Sequence, residues 1–292
     1  MPQQLHTLRR GTKRYSLNDN SAVSLDPLVS TWVSTVVLNG GASPSSGSVS
    51  ALNAFVGGLY TNNLMSSMIT INCFVPDNLI ACQTPIINLN GVGGLNPWTN
   101  TNFVGGDLTI NGLVGDGSSK YLNTGIIPSN VYKSINTCGI STYVYTNAAV
   151  TGWECGTFAS NQTTYWFGLS TGYTGNGINS DLFEGGYGVT SPVTGGFYST
   201  SRIANTDQRI FFANSANAFS QLGATGTSPS NAVPIGNTVV VFAIRAQSGT
   251  VFQYSNHRMS FLAFHYGLTG GQTQTFFNLV QNLRKSIGGG YL

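Results

Sequence analysis

Charged residues are scarce in this sequence, and their scarcity excludes several classes of protein. Asp, Glu, Lys and Arg make up 7% of the 292 residues, against about 25% in ordinary globular proteins. Disordered chains are poor in apolar residues and rich in net charge, whereas here 41% of the residues are apolar and 11% are aromatic. Uncharged polar residues with 37 glycines favour a folded, strand-rich protein with many tight turns.

Motifs for metals, disulfides and membrane insertion are also missing. No two cysteines form a C-x-x-C pair, and the histidines are too scattered to complete a zinc site. No apolar run approaches the roughly 18 residues that span a bilayer, and the N-terminus lacks the apolar segment of a secretory signal. We therefore expect buried free thiols from cytosolic synthesis, no cofactor, no metal and no membrane partner. The residues concerned are Cys73, Cys82, Cys138, Cys155, His6, His257 and His265.

Acidic residues are too few for familiar hydrolytic chemistry. Sugar hydrolases place two carboxylates around the scissile bond, but the chain has two glutamates, Glu154 and Glu184, and its closest acidic pair is Asp181 with Glu184 in a glycine-rich stretch. G-x-S-x-G, P-loop and H-E-x-x-H motifs are absent. Asp116 and Asn123 offer too few oxygens for Ca²⁺, so Asp116 is interpreted as a turn residue. We expect a protein that is not an enzyme, with a depolymerase using Glu184 as the last alternative.

Basic residues are concentrated at the N-terminus, where no acid precedes Asp19. Residues 1–24 are therefore predicted to form a basic arm, which is either a flexible terminus or a segment that orders against a neighbouring subunit. Nucleic-acid binding is not expected, because Tyr15 is the one aromatic among the basic residues. The candidate assembly residues of the arm are Arg9, Arg10, Lys13 and Arg14.

Residues 25–90 are predicted to form a small helical attachment subdomain. Asp26 and Pro27 are typical of a helix N-cap and first turn, and apolar residues then recur at helical spacing. Residues 91–107 form a connection, in which Trp98 is interpreted as a loop anchor. The predicted elements are helices at Leu25–Leu38, after Ser43 and at Asn78–Ile87, with a strand at Ile69–Val75.

Residues 108–292 are predicted to form a β-sandwich that ends in a helix. Asn111–Gly125 opens it, because short apolar runs at Leu113 and Tyr121 flank the turn residues Gly115–Ser119. Closely spaced strands with Gly and Asn turns are typical of a sandwich or jelly roll. Ser170–Gly196 has few periodic positions and is predicted to be a long loop. The predicted strands are Cys138–Tyr145, Trp153–Phe158, Thr163–Leu169, Arg209–Ala213, Thr238–Arg245, Val251–Tyr254 and Met259–Tyr266, and the predicted helix is Gly271–Ile287.

Three stretches together carry a resemblance to a known family. GLVGDGSSKYLNTG, TDQRIFFANSAN and SFLAFHYGLTGGQTQTFFNLVQNLRKSIG resemble segments of the concanavalin A-like (laminin G-like) jelly rolls of bacteriophage virion proteins. Asn214-Ser215 departs from the Asn-Gly usual in the middle motif. Over residues 25 to 287, the resemblance implies a mainly β fold, a concanavalin A-like jelly-roll sandwich with a helical subdomain before it and a C-terminal helix after it. It implies no single chemistry, because this fold hosts many functions.

Glycan binding is the small-site function that the sequence favours. Sugars bind aromatic faces flanked by amide, carboxylate and backbone groups, often on loops. The candidate carbohydrate-binding residues are Tyr173, Asn179, Asp181 and Tyr187. Tyr173 and Tyr187 are preferred because a loop offers them no core, whereas Tyr165 and Trp166 suit the core and surface of an ordinary strand.

The function implied is that of a non-enzymatic structural component of a bacteriophage particle, in the tail, a fibre or the capsid surface. The arm and the helical region would assemble with other copies of the chain and with other virion proteins. The alternative is a receptor-binding lectin module that recognises host-surface glycans. The expected location is the virion, after synthesis in the host cytoplasm.

Overall fold

The computed structural model describes residues 24–88, 95–146, 152–159, 166–173, 177–184, 186–190, 194–215, 218–229 and 236–289. The described helices are α1 (Pro27–Leu38), α2 (Ser46–Thr61), α3 (Leu79–Gln83), α4 (Pro128–Val131) and α5 (Gly270–Ser286). None of them is long and apolar enough to cross a membrane. The basic arm, with Arg9, Arg10, Lys13 and Arg14, lies outside the described residues.

The strands form two sheets. Sheet A contains β1 (Met68–Asn72), β2 (Ile87–Asn88), β4 (Leu108–Thr109), β5 (Gly112–Val114), β7 (Cys138–Thr146), β12 (Gly196–Ala204), β13 (Asp207–Ala213), β14 (Ser220–Gly226) and β18 (Arg258–His265). Sheet B contains β3 (Thr99–Thr101), β6 (Tyr121–Asn123), β8 (Cys155–Phe158), β9 (Trp166–Tyr173), β10 (Gly177–Glu184), β11 (Tyr187–Thr190), β15 (Val240–Val241), β16 (Ile244–Arg245) and β17 (Val251–Phe252).

The two sheets pack face to face as a sandwich, and each has its own strand order. Sheet A runs β14-β13-β12-β7-β18-β1-β2 and sheet B runs β11-β10-β9-β8-β15-β6-β3. The pairing is antiparallel except for a single parallel bridge between β16 and β8. The mainly β sandwich with helices before it and after it is therefore confirmed, and the paired residues of β8 and β9, which lie within the predicted strands Trp153–Phe158 and Thr163–Leu169, are antiparallel.

The inner faces of the two sheets form the main core. Phe167 and Leu182 from sheet B and Val144, Tyr198 and Leu262 from sheet A are fully buried members of this core. Alternate residues of each strand point inward, so the next residues along the same strands lie on the outer faces.

A second core lies on the outer face of sheet A, which the helices cover. Phe55 of α2 and Phe276 of α5 both contact the ring of Phe261 on β18. Trp32 of α1 is fully buried, and its indole N–H donates to the carbonyl of Thr84 at 3.0 Å. The predicted helices and strand of residues 25–90 are thus present, and β1 lies inside sheet A between β18 and β2. This region shares a sheet and a core with the sandwich.

The stretch Asn111–Gly125 connects the two sheets. Its first strand, β5, pairs with β18 in sheet A, and its second, β6, pairs with β15 in sheet B. Asp116 holds the turn between them, because its Oδ1 accepts from the amides of Ser118, Ser119 and Lys120 at 2.9, 2.8 and 3.0 Å. The predicted strand-turn-strand unit is confirmed, but its strands cross between the sheets instead of pairing with each other.

Two details of the predicted strands are corrected. Ser170–Gly196 was predicted to be a loop, but it contains the end of β9, all of β10 and β11, and the start of β12. Glycines on the outer face interrupt the apolar alternation there, which hid the strands. Thr238–Arg245 was predicted as one strand, but it divides into β15 and β16 at Phe242, which has φ +68°.

Candidate functional site

The outer face of sheet B carries a polar pair on β10. Asn179 and Asp181 are two residues apart and therefore lie on the same face of the strand. The Asn179 Nδ2 atom lies 3.5 Å from Asp181 Oδ2. Asn179 is half-buried and Asp181 is 2% exposed, so Asn179 is the more accessible of the two. The structure thus brings together two of the four residues predicted to bind carbohydrate.

Glycines surround this pair on the neighbouring strands. Asn179 pairs with Gly188 of β11, and Asp181 pairs with Gly168 of β9. A β-carbon at Gly186 would lie 3.2 Å from Asp181 Oδ1 and 3.7 Å from Asn179 Oδ1, and one at Gly188 would lie 3.7 Å from the same Asn179 atom. Side chains at these glycines would therefore press against the amide and the carboxylate. Gly186 and Gly188 are exposed and carry no side chain, so neither position covers the Asn179 amide.

A stack of aromatic rings lies on the same outer face of sheet B, along β9. Trp166 lies two residues before Gly168 on the same face and stacks with Phe158 at 4.5 Å and with Trp153 at 5.3 Å between ring centres. A β-carbon at Gly168 would lie 3.0 Å from a ring carbon of Trp153, so the stack reaches the row that contains Asp181. Trp153 is 1% exposed, whereas Trp166 is half-buried and presents part of its ring.

Tyr187 does not lie on a loop, contrary to the prediction. It begins β11, and its hydroxyl donates to the carbonyl of Ala224 on β14. A β-carbon at Gly226 would lie 2.9 Å from the Tyr187 ring. The Tyr187 side chain therefore links the edge strand of sheet B, β11, to the edge strand of sheet A, β14. The argument that Tyr187 has no packing role is wrong. Its part in carbohydrate binding stays a prediction.

For two other predicted residues, the structure describes the backbone alone. Tyr173 ends β9, and Glu184 ends β10, but the side chains of both lie outside the described part of the chain. The prediction of Tyr173 as a sugar-binding residue is therefore unchanged.

A buried pair that the sequence did not predict joins the two sheets. Glu154 Oε1 lies 2.5 Å from His257 Nδ1, and both residues are 0% exposed. Thr171 donates to the carboxylate from its backbone N–H at 2.7 Å and from its hydroxyl at 2.8 Å. Because Glu154 and His257 are 103 residues apart, local spacing gives no signal for the pair. Groups buried this deeply hold the fold together and do not touch a substrate.

Ser141 and His265 form a second buried contact with the residue types of a catalytic dyad. Ser141 Oγ lies 2.8 Å from His265 Nε2, and His265 Nδ1 donates to the carbonyl of Tyr266 at 2.8 Å. Burial lowers the pKa of His265 to about 4. The imidazole is therefore neutral near pH 7 and accepts from Ser141. Both side chains are 0% exposed beneath α5, which makes them interior groups.

The described residues offer little for a metal. They contain no group of three His, Cys, Asp or Glu side chains placed to hold an ion. The four cysteines are buried free thiols, and burial raises the pKa of Cys73, Cys82 and Cys155. The Asp116 carboxylate is engaged by its own turn. Desolvation raises its pKa, but hydrogen bonds from Ser119, Ser118 and Lys120 outweigh that effect and the net pKa is lowered.

Comparison with known proteins yields structural likenesses of low identity. No protein-family model matches the sequence, and no curated protein matches it. The Ruminococcus gnavus IT-sialidase CBM40 bound to alpha2,3 sialyllactose is 11% identical, with a TM-score of 0.42 over 56% of this chain and 95% of that one. An arabinofuranosidase complexed with arabinofuranosyl-alpha-1,2-xylobiose is 12% identical, with a TM-score of 0.42 over 63% of this chain and 43% of that one.

A third solved structure has a similar level of likeness. The botulinum neurotoxin serotype D binding domain is 9% identical, with a TM-score of 0.46 over 73% of this chain and 52% of that one. This chain thus spans about half the length of the toxin domain and less than half of the arabinofuranosidase. Likenesses at these values assign no activity to this chain.

Proposed function

We propose that the protein is a non-enzymatic, lectin-like module that binds glycans on the outer face of sheet B. The observation that carries the proposal is that the Asn179–Asp181 pair, the exposed Gly186 and Gly188 beside it and the partly exposed ring of Trp166 all lie on the outer face of sheet B. A sugar presents apolar C–H faces and hydroxyl groups together. An aromatic ring can pack against the C–H face, and an amide and a carboxylate on the same surface can bind the hydroxyl groups.

The geometry also supports the non-enzymatic part of the proposal. Glycoside hydrolysis uses two carboxyl groups about 5–9.5 Å apart on either side of the bond. Among the described side chains, Asp181 is joined by the amide of Asn179, and Glu154 is buried against His257. In the described part of the chain neither Asp181 nor Glu154 is recorded facing a second carboxylate, and the side chain of Glu184 lies outside that part.

A glycan array tests this function directly. The wild-type protein, Asn179→Ala and Trp166→Ala would be compared on an array that includes bacterial surface polysaccharides. The control is Gln221→Ala, which removes an exposed amide from β14 on the other sheet. We expect wild-type and control to bind the same glycans and the two site variants to lose about tenfold in affinity, the size of one lost hydrogen bond or ring contact. Equal binding by all four proteins would refute the assignment of this face.

We further propose that the module is a structural component of a bacteriophage particle, located in the virion. Besides the sequence resemblance, the edge strand β14 supports this proposal. Ser220–Gly226 contains no charged residue or proline. Among the described strands it forms a ladder with β13 alone, and Tyr187 of β11 contacts it through the Ala224 carbonyl. Soluble monomers commonly protect such edges with Lys or Pro. An uncharged edge also lets two identical strands meet without bringing like charges together.

The assembly proposal has its own experiment. Antibodies against the chain should detect it in purified phage particles, and light scattering should give a mass above that of a monomer. A Gln221→Lys/Ala224→Lys double variant should reduce that mass by charging the edge, whereas the control Ser34→Lys/Thr31→Lys on α1 should not. A monomeric wild-type protein that is absent from particles would refute this second function and would leave the glycan proposal standing.

A further inference from the structure

Arg284 is a buried arginine in the last turn of α5. It is 1% exposed, and its guanidinium carbon lies 4.5 Å from the centre of the Tyr143 ring and 6.0 Å from that of Tyr145. Its Nε, Nη1 and Nη2 atoms are all buried, and none makes a hydrogen bond of normal distance and angle within the described residues, where Tyr143 offers only a weak side-chain contact. Buried polar groups nearly always have partners, and arginine carries five N–H donors. This side chain therefore calls for an explanation.

The described carboxylates do not supply a counterion. Each of them has a contact elsewhere: with a helix N-terminus, a turn, a lysine, an arginine, a histidine or an amide. These residues are Asp26, Asp77, Asp107, Asp116, Glu154, Asp181 and Asp207. The charge of Arg284 is thus not neutralised by any described acidic side chain.

The surroundings of Arg284 offset its charge only in part. Burial lowers the pKa of Arg284, while charge interactions with Tyr143 and Tyr145 and a weak side-chain contact with Tyr143 act in the opposite direction. A cation–π contact in a desolvated place stabilises the charge, and so does the C-terminal end of a helix. Neither effect gives the N–H groups an acceptor. A buried donor without a hydrogen-bond acceptor costs free energy of folding.

A second orphaned group lies one helical turn away. Gln281 is 1% exposed, and its Oε1 atom has no partner among the described residues, while its Nε2 lies 3.4 Å from the Tyr143 hydroxyl. Gln281 and Arg284 are three residues apart and so share a face of α5. At Gly289 a β-carbon would lie 2.8 Å from Arg284 Nη2 and 2.9 Å from the Ile110 carbonyl oxygen, so glycine there lets the backbone approach the guanidinium.

We propose that Arg284 and Gln281 form a binding site for a small oxyanion, between α5 and β7. Planar or tetrahedral oxyanions with several acceptor oxygens satisfy a guanidinium through two parallel hydrogen bonds, and phosphate and carboxylate are the two common kinds. A monoprotonated phosphate also carries a hydroxyl that can donate to Gln281 Oε1. Tyr145 is half-buried, and its ring centre lies 6.0 Å from the Arg284 guanidinium carbon, so it is the described residue that connects the site to the surface. The site lies on the face of the sandwich opposite Asn179, so it is independent of the glycan proposal.

Thermal unfolding in matched anions tests the oxyanion site. The protein would be titrated with inorganic phosphate or with acetate against chloride at constant ionic strength, and the melting temperature recorded. A ligand that binds only the folded state stabilises it in proportion to the logarithm of its concentration above Kd. We expect a saturable rise with phosphate, acetate or both in the wild-type protein, and none in Arg284→Met. The two arms distinguish a phosphate ligand from a carboxylate ligand.

The control is Lys285→Met, which removes the same charge from the adjacent, exposed position. It should keep the anion response. A wild-type protein that responds equally to all three anions, or a response lost equally in Arg284→Met and Lys285→Met, would overturn the proposal. Isothermal titration of the wild-type protein with phosphate and with acetate gives a check that needs no variant, and absence of heat from both anions would also overturn it.

Discussion

Glu154 on sheet B and His257 beside sheet A form a buried contact of 2.5 Å across one end of the sandwich. The carboxylate is also held by the amide and hydroxyl of Thr171. Removing one member of such a pair leaves the other buried without its partner, which typically costs about 3–5 kcal/mol. The contact therefore joins the two sheets at a point where loss of either residue is severe.

A double-mutant cycle measures this coupling. We expect His257→Leu and Glu154→Leu each to lower the free energy of unfolding in urea by several kcal/mol. The double variant should lose less than the sum of the two, because it leaves no lone buried charge. Strictly additive losses would show that the two side chains act independently.

The buried imidazole of His265 predicts a dependence of stability on pH. Burial lowers its pKa from 6.5 to about 4 in the folded state. Between these values the unfolded chain binds more protons than the folded one, so stability is complete above pH 6.5 and falls as the pH drops toward 4. The slope contributed by one such group is at most about 1.4 kcal/mol per pH unit.

Urea unfolding of wild-type and His265→Gln at several pH values checks this dependence. The variant should show a shallower loss of stability below pH 6.5, while the Glu154–His257 pair remains in both proteins. Parallel pH profiles for the two proteins would mean that His265 does not titrate as its burial requires.

Gly112 illustrates a backbone position that admits only glycine. Its φ is +106°, and a β-carbon there would lie 2.0 Å from the carbonyl oxygen of Met259. Gly112→Ala should therefore lower the free energy of unfolding by at least about 2 kcal/mol, from strain and from separation of β5 and β18. The matched control is Gly105→Ala, whose β-carbon would meet nothing within 4 Å. Similar stabilities of the two variants in urea would contradict this explanation.

Tyr187 allows the packing role to be separated from sugar binding. Tyr187→Phe keeps the ring against Gly226 and removes the hydroxyl that donates to Ala224. We expect a loss of about 1 kcal/mol in the free energy of unfolding and unchanged glycan affinity. A large loss of affinity with unchanged stability would restore Tyr187 to the binding site as first predicted from the sequence.

The sequence predicted those elements whose signals are local. The Asp26-Pro27 start of α1, the apolar face of α2 and the glycine-flanked end of α5 all depend on residues within one or two helical turns, and each helix is present. The two-sheet architecture followed in the same way from short apolar runs between turns. These features needed no knowledge of distant contacts.

The contacts that define the candidate site depend on strand register. The glycines next to Asn179 and Asp181, such as Gly168 and Gly188, are outward-facing strand positions. Because glycines interrupt the alternation of apolar residues, the sequence suggested a loop there. Trp166 was interpreted as an ordinary strand residue, and only the pairing of β9 with β10 places it on the same face as Asp181, two residues along β9 from the Gly168 that pairs with Asp181. In contrast, Asn179 and Asp181 could be selected from the sequence because polar and aromatic residues cluster around the glycine-rich stretch. Their common face follows only from the strand that the structure shows there.

An NMR titration with the glycan that binds best on the array tests the central claim most directly. Spectra of ¹⁵N-labelled protein would follow the indole N–H of Trp166 and the side-chain amide of Asn179. The glycan proposal requires the largest shifts at these two groups and at the backbone of Gly186 and Gly188, with no such shifts in Asn179→Ala. Shifts confined to sheet A or to the helices, with Trp166 and Asn179 unchanged, would contradict it.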